Sequence, residues 1–155
     1  MFHGNQGCNG GSPTCAFDYI KRTGGIASET SYPYTARDGS CKRATAVAEI
    51  SGLDRLPPGD ENALAERLAR QPVSVVLRTG TWFSIYRSGV ADPPRCDDGV
   101  PSFQPVLVVG YTPTYWIVKN SYGTSWGQSG YLYLARGRNK RGIADYAVAP
   151  IGGSR

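Results

Sequence analysis

Residues 11–25 carry apolar side chains at the spacing of an amphipathic helix. Ala16, Phe17 and Ile20 fall on one side of such a helix, and charged residues follow on the other side. This spacing predicts a helix whose buried face is formed by those three side chains. Its expected boundary residues are Ser12 at the N-cap, Pro13 at the first helical position and Gly24 at the C-terminal end.

A second helix is predicted at about residues 60–70. Leu64 and Leu68 lie one helical turn apart, so both are expected to face the core. Asp60 is a good N-cap residue, because its carboxylate can accept hydrogen bonds from the first free backbone N–H groups. Pro72 ends the segment, since proline cannot continue a helix.

Strand patterns dominate the second half of the chain. The runs Val73–Leu77 and Val106–Tyr111 are continuously apolar, which predicts strands buried on both faces. Shorter strand patterns follow closely, and one weaker pattern precedes them. These further strands are predicted at Thr45–Ile50 (the weaker one), Tyr115–Asn120, Gly130–Arg136 and Ala144–Pro150.

The order of these elements indicates an α+β protein with two parts. A helix-bearing, turn-rich segment is predicted at 1–56, and a mainly antiparallel β-domain with one helix at 57–155. Pro57, Pro58 and Gly59 mark the boundary between them. The 20 Gly, 11 Pro and 10 Tyr residues support many turns and short strands over a helix bundle.

The net charge of +5 raises the possibility of an acidic partner. The basic residues are scattered, with one cluster in "RGRNKR", Arg136 to Arg141. Because Gly137 and Gly142 bracket most of this cluster, we interpret it as a solvated hairpin tip, and we expect no specific nucleic-acid contact. No apolar run reaches the roughly 18 residues of a membrane span, and the first residues lack a signal-peptide pattern.

Several motifs, in order along the whole chain, give a specific resemblance. They are "GCNGGSP" (7–13), "SYPYTARDGSCK" (31–42), "QPVSVVL" (71–77), "FSIYRSGV" (83–90), "VLVVGY" (106–111) and "YWIVKNSYGTSWGQSGYLYL" (115–134). With them the chain resembles the C-terminal two-thirds of a papain-like cysteine peptidase. The resemblance implies a papain-like fold remnant: an antiparallel β-barrel (right) domain, plus a helix-bearing fragment of the left domain.

The family's reaction is acyl transfer by a thiolate, and the resemblance shows which of its parts to look for. The nucleophilic Cys segment and the oxyanion-hole Gln would lie before Met1, and we expect both to be absent. Gln104 stands where the family has its base His, and an amide cannot take up a proton near neutral pH. His3, the only histidine, cannot be aligned with that position and is expected at the surface. Asn120 matches the orienting Asn; without an imidazole to orient, we interpret it as a turn residue that satisfies nearby backbone groups.

The resemblance also implies a remnant of the peptide cleft. Gly10 and Gly11 match glycines whose backbone pairs with an extended substrate, although both could be present only for a tight turn. Tyr122 replaces the family's Trp beside the Asn, and the retained Trp126 is expected to serve packing. The proposed cleft remnant comprises Gly10, Gly11, Ser12, Pro13, Val76, Pro105 and Trp126.

The resemblance implies that the four cysteines do not form the family's disulfides within this chain. Cys8 and Cys41 match cysteines whose partners lie upstream, and Cys96 matches one whose partner position is Ala144 here. Cys15 is expected to be a buried structural thiol. These assignments favour a reducing intracellular compartment, although a Cys8–Cys41 bridge outside the family pattern stays possible. The spacing supports no metal site, and no cofactor is predicted.

Three functions are consistent with these residues. The favoured hypothesis is a non-catalytic homologue that acts as a structural or interaction subunit, with other protein subunits covering the exposed inter-domain face of the β-domain. The second is a pseudo-peptidase that binds extended peptides. The third is one half of a two-chain cysteine endopeptidase, whose partner would have to supply both thiol and base.

Overall fold

The computed structural model describes residues 4–93 and 102–152. The chain divides into two compact units. The first contains the residues up to Asp54 together with those from Pro150 onward, and the second runs from Arg55 to Ala149. His3 and Cys96 lie outside the described residues. The elements form an α+β protein whose main sheet is mostly antiparallel.

The first unit begins with a 3-10 turn at Gly7–Asn9, followed by helix α1 (Pro13–Thr23). Strands β1 (Ile26–Ala27) and β2 (Ala46–Ala48) pair in a small antiparallel sheet. Most of strand β3 (Ile50–Arg55) also belongs to this unit, where the Ser51 hydroxyl donates to the carbonyl of Gly152, 3.0 Å away.

Helix α1 starts and ends where the sequence predicts. Pro13 is its first residue, and Gly24 ends it in the left-handed conformation with φ 77°. Two details differ from expectation. Ser12 occupies the N-cap, but its side chain makes no capping hydrogen bond. The predicted buried face (Ala16, Phe17, Ile20) is only half-buried, and Thr14 is the helix's one fully buried residue.

The second unit carries most of the regular structure. Its helices are α2 (Glu61–Leu68) and the short α3 (Thr81–Ile85). Its strands are β4 (Val73–Thr79), β5 (Val90–Ala91), β6 (Ser102–Tyr111), β7 (Tyr115–Lys119), β8 (Tyr131–Ala135) and the first half of β9 (Ala147–Gly152). They lie in the order β9-β4-β6-β7-β8-β5, and only β5 runs parallel to its neighbour.

Helix α2 confirms the second predicted helix. The Asp60 carboxylate accepts from the backbone N–H groups of Asn62 and Ala63, each at 2.9 Å. Leu64 and Leu68 are both buried in the core. The short helix α3 and strand β5 were not predicted, because neither is long enough to show a period.

The core of the second unit lies between α2 and one face of the sheet. Val73, Val75 and Leu77 of β4 alternate inward, as do Val106 and Val108 of β6. The prediction that both apolar runs are buried on both faces is therefore wrong for β6. Its intervening side chains face outward and are exposed. Burial alternates from residue to residue along this strand, but the sequence does not show the alternation because nearly all of its residues are apolar.

Two strand boundaries moved because of local backbone geometry. The predicted strand Ala144–Pro150 begins only at Ala147, because the 3-10 turn at Lys140–Gly142 continues into a further turn, in which the Asp145 N–H donates to the Gly142 carbonyl at 2.9 Å. The weaker pattern at 45–50 is interrupted at Glu49 and separates into β2 and β3. Among the described residues, no helix is long and apolar enough to cross a membrane.

Candidate functional site

Gln104 lies near the start of β6, opposite Leu77 of β4. It is half-buried, and both ends of its amide are engaged. The Tyr122 hydroxyl donates to Gln104 Oε1 at 3.3 Å, and Gln104 Nε2 donates to the carbonyl of Pro105 at 3.3 Å. The side chain is thus held as a neutral hydrogen-bonding group, and this position provides no general base.

Asn120 follows β7 and is buried, with 8% of its surface exposed. Its backbone N–H donates to the carbonyl of Gly130 at 3.0 Å. Neither its side-chain Nδ2 nor its Oδ1 has a hydrogen-bond partner within residues 4–93 and 102–152. The prediction that this side chain satisfies neighbouring backbone groups is therefore wrong: the backbone pairing is made by the main chain alone. A buried amide left in this state costs about 1–3 kcal/mol.

Trp126 is the centre of a compact aromatic cluster. Its ring centroid lies 4.9 Å from that of Phe83, 5.6 Å from Tyr86 and 5.8 Å from Tyr122. Its indole Nε1 donates to the buried carbonyl of Phe83 at 3.0 Å. Every polar and apolar part of this side chain has a partner inside the unit, as expected for a packing residue.

Val76 and Pro105 are cross-strand neighbours in the register of β4 and β6. Val76 is half-buried and Pro105 is exposed. Both point away from the core, because Val75, Leu77 and Val106 occupy the inward positions on either side. The structure thus brings these two predicted cleft residues together on the outward face of the sheet.

The glycine segment is exposed and belongs to the first unit. Gly10 has φ 96°, a conformation that side-chain-bearing residues rarely adopt. Beside it, Asn5 folds back over the segment, and its Oδ1 accepts from the N–H of Ser12 at 2.7 Å. A Cβ added at Gly11 would collide with the Asn5 amide and approach its Cβ to 2.8 Å. The Asn5 contact therefore disfavours a side chain at position 11, whether or not this edge binds a peptide.

This contact makes a prediction about Gly11. Gly11→Ala is expected to displace the Asn5 side chain and remove its hydrogen bond to Ser12, which shifts the Ser12 amide resonance in a two-dimensional NMR spectrum. Asn5→Ala should shift the same resonance, and the double variant should behave like Asn5→Ala alone. Additive shifts would contradict a shared contact. Peptide titrations of Asn5→Ala and the double variant would then isolate any binding by the Gly11 backbone.

The basic cluster 136–141 is not the solvated hairpin tip that was predicted. The Arg136 guanidinium lies over two aromatic rings, 4.6 and 4.8 Å from their centroids. Lys140 forms an ion pair with Asp92, whose hydrogen bond lowers the pKa of that carboxyl. Arg141 is buried with 8% exposure, and only Arg138 projects into solvent, at 73%. The cluster holds the unit together and presents no continuous positive surface.

The exposed Cys8 thiol does not have the surroundings of an activated nucleophile. The hydrogen bond to the Asp38 carboxylate raises the pKa of the Cys8 thiol, which disfavours the reactive thiolate. Cys8 and Cys41 are exposed and are not joined to each other. Cys15 is half-buried on α1, and Ala144, the expected counterpart of Cys96, is fully buried. No group of three or more metal-ligating side chains occurs among the described residues.

Two contacts of the site residues were missed from the sequence. Tyr122 bonds to Gln104, and Asn5 packs against Gly11. Neither contact has a local signal, because the partners are 18 and 6 positions apart in segments without a shared period. The one signal in the sequence was Tyr122 in place of the family's Trp, because its hydroxyl can form a hydrogen bond with a polar side chain such as that of Gln104.

Comparisons with known proteins identify the family of this chain. The model of the papain family cysteine protease matches residues 2–151. The chain is 41% identical over 95% of its length to vignain of Vigna mungo, and 43% identical over 96% to cathepsin L of Sarcophaga peregrina. It covers 43% and 46% of those two proteins, so it spans less than half the length of the curated relatives it matches.

Solved structures give the same result for the fold. The cysteine protease CMS1MS2 of Carica candamarcensis, determined in complex with E-64, superposes with a TM-score of 0.85 and 32% identity. The bromelain protease of Ananas comosus, also with E64, gives a TM-score of 0.86 and 32% identity. The two matches cover 98% and 96% of this chain, and each covers 73% of the solved chain. With its sequence motifs, its fold and these relatives in agreement, the chain belongs to the papain family of cysteine proteases.

Proposed function

We propose that this chain is a non-catalytic member of the papain family that acts as a structural or interaction subunit. The observation that carries the proposal is Gln104, a neutral amide at the position of the base, bonded to Tyr122. A general base must accept a proton near the operating pH, and an amide does not. Because Gln104 belongs to the chain itself, the proposal holds whatever residues the complete protein carries before position 1.

Two further observations support it. The Asn120 amide, which matches the orienting residue, is buried without a partner among the described residues. The pKa of the exposed Cys8 thiol is raised by Asp38, opposite to what a nucleophilic thiol needs. Relatives named as proteases share the ancestry, and their activity is not transferred to a chain with an altered base position.

The proposal predicts no thiol-dependent hydrolysis. The chain is expected to leave a fluorogenic peptide amide uncleaved under reducing conditions and to resist labelling by a thiol-directed epoxide. An active papain-family protease serves as the positive control, and circular dichroism verifies folding. Hydrolysis that the epoxide blocks and that Gln104→Ala abolishes would overturn the proposal. Hydrolysis that appears only after a second chain is added would instead favour a two-chain enzyme whose partner supplies both thiol and base.

A further inference from the structure

Residues 137–145 follow β8 in a tight turn with an unusual backbone. Asn139 and Arg141 have φ angles of 44° and 53°, in the left-handed region that residues with a side chain rarely adopt. Gly137 and Gly142 also have positive φ angles, 98° and 68°. We call residues 137–145 the positive-φ turn. Residues with side chains persist in this conformation only where the surrounding contacts hold the backbone in place.

The carboxylate of Glu61 on α2 holds the beginning of the positive-φ turn. Its Oε2 accepts from the N–H of Gly137 at 2.9 Å, and its Oε1 accepts from the N–H of Asn139. Hydrogen bonds to an ionised acceptor are roughly twice as strong as those to a neutral one. Protonation of Glu61 removes its charge and turns one of its oxygens into a donor, so it weakens the bonds to the turn.

The carboxylate of Asp145 holds the end of the positive-φ turn. Its Oδ1 accepts from Asn139 Nδ2 at 2.7 Å, and Asn139 Oδ1 accepts from the N–H of Ala144 at 3.0 Å. Its Oδ2 lies 3.5 Å from a guanidinium nitrogen of Arg78 on β4. One carboxylate and one amide therefore join the two halves of the turn, and protonation of Asp145 weakens this link as well.

A third carboxylate, that of Asp92 just after β5, holds the middle of the positive-φ turn. It forms an ion pair with Lys140, whose side chain is only 15% exposed, and it lies 3.9 Å from Arg138. The hydrogen bond from Lys140 lowers the pKa of the Asp92 carboxyl. Since the pKa is lowered in the folded state, this pair contributes fully at neutral pH, and its contribution is lost as the pH falls through the lowered value.

Positive charge accumulates around the positive-φ turn. The basic residues of this segment, one of which directly precedes the turn, are Arg136, Arg138, Lys140 and Arg141. Arg78 of β4 adds a further cation beside Asp145, and α3 packs against Arg141 through the uncharged ring of Trp82, 5.1 Å away. The three carboxylates offset part of this charge at neutral pH. In acid they become neutral, and the cations then repel one another within a short segment.

We propose that the positive-φ turn is an acid-sensitive switch, which is closed at neutral pH and opens once Glu61, Asp92 and Asp145 are protonated. Opening relieves the left-handed backbone and separates the cations, while the rest of the second unit stays folded. It also uncovers Ile143 and Ala144, which are buried with 0% and 1% exposure. Acid therefore exposes apolar surface at one place in the fold. This property does not depend on the function proposed above.

The experiment measures amide hydrogen exchange by NMR on the full chain, at pH values from about 6.5 to about 3.5, where most protein carboxyl groups titrate. Each rate is compared with that of an unstructured peptide at the same pH, which gives a protection factor. The protection factors of Ile143, whose N–H donates to the Lys140 carbonyl, and of Ala144 should fall at least about tenfold in acid. Those of the β7–β8 ladder should stay within about twofold.

Replacing the three carboxylates together by amides (Glu61→Gln, Asp92→Asn and Asp145→Asn) should open the turn at about pH 6.5. The same two protection factors should then be about tenfold lower than in the unaltered chain. Glu66→Gln is the matched control, since Glu66 is an exposed carboxylate on the same helix as Glu61, and it should keep the full acid response. If the triple variant does not fold, Asp145→Asn alone should show a smaller acid response than Glu66→Gln.

Three results would overturn the proposal. Ile143 and Ala144 could stay protected at about pH 3.5, which would show that protonation does not open the turn. The β7–β8 ladder could lose protection together with them, which would show that acid unfolds the whole unit. The carboxylate variants could respond to acid as Glu66→Gln does, which would show that these three groups do not control the turn.

Discussion

Glu61→Ala is expected to lower the free energy of unfolding of the second unit by about 2–3 kcal/mol. One carboxylate accepts three hydrogen bonds: Oε2 from Trp116 Nε1 and from the N–H of Gly137, both at 2.9 Å, and Oε1 from the N–H of Asn139. Trp116 is fully buried. Removing the acceptor therefore leaves an indole N–H in the core without a partner, and that desolvated group sets most of the cost.

Urea unfolding followed by tryptophan fluorescence measures this effect, because all three tryptophans lie in the second unit. Glu66→Ala is the matched control: Glu66 is exposed on the same helix, and its replacement should change stability by no more than about 0.5 kcal/mol. Glu61→Gln keeps an acceptor oxygen and should fall between the two. Equal losses for Glu61→Ala and Glu66→Ala would show that the carboxylate does not tie α2 to these three donors.

Trp126→Ala should also destabilise the second unit, by about 3–5 kcal/mol, because it empties the centre of the aromatic cluster. The rings of Phe83, Tyr86 and Tyr122 would each lose a neighbour within 6 Å. The variant tests whether the aromatic cluster stabilises the unit, since a residue without a packing role would be replaceable at little cost. Chemical unfolding followed by circular dichroism avoids dependence on the altered tryptophan.

Trp126→Phe separates packing from hydrogen bonding. It keeps a ring in the cluster but loses the indole donor to the Phe83 carbonyl, so a smaller loss of about 1–2 kcal/mol is expected. If Trp126→Ala proved as stable as the unaltered chain, the cluster would not contribute to the fold as its geometry indicates.

The elements that could be predicted from the sequence are those whose evidence is local. Helix α2 follows from the Asp60 cap and the spacing of Leu64 and Leu68, and the structure contains each of these features. Capping and packing between successive helical turns involve residues within four positions of each other, so a short stretch of sequence reveals them. Helix α1 was equally well bounded by Pro13 and Gly24, yet its half-buried face could not be foreseen, because burial depends on what packs against a helix.

The burial and hydrogen bonding of the site residues depend on long-range contacts, which are not visible in the sequence pattern. The side chain of Asn120 was interpreted as a turn residue, and the structure buries it without satisfying its amide. The basic cluster was interpreted as a solvated tip, but each of its four cations lies over a ring, forms an ion pair or is buried, and only Arg138 remains mostly exposed. Both errors have one cause. Polar residues are exposed to solvent on average, but the burial of a particular polar side chain depends on long-range packing.

The sequence by itself determined the family, the two longer helices, most of the longer strands, and the presence of an amide at Gln104, because motif identity and side-chain chemistry are carried by the residues alone. Only the tertiary structure decided that β6 turns Phe103, Leu107 and Val109 outward between Arg78 and Lys119. An unbroken apolar run does not reveal which side of a strand faces the core. That assignment comes from cross-strand register and from the packing of α2 against the other face, both of which join residues far apart in the chain.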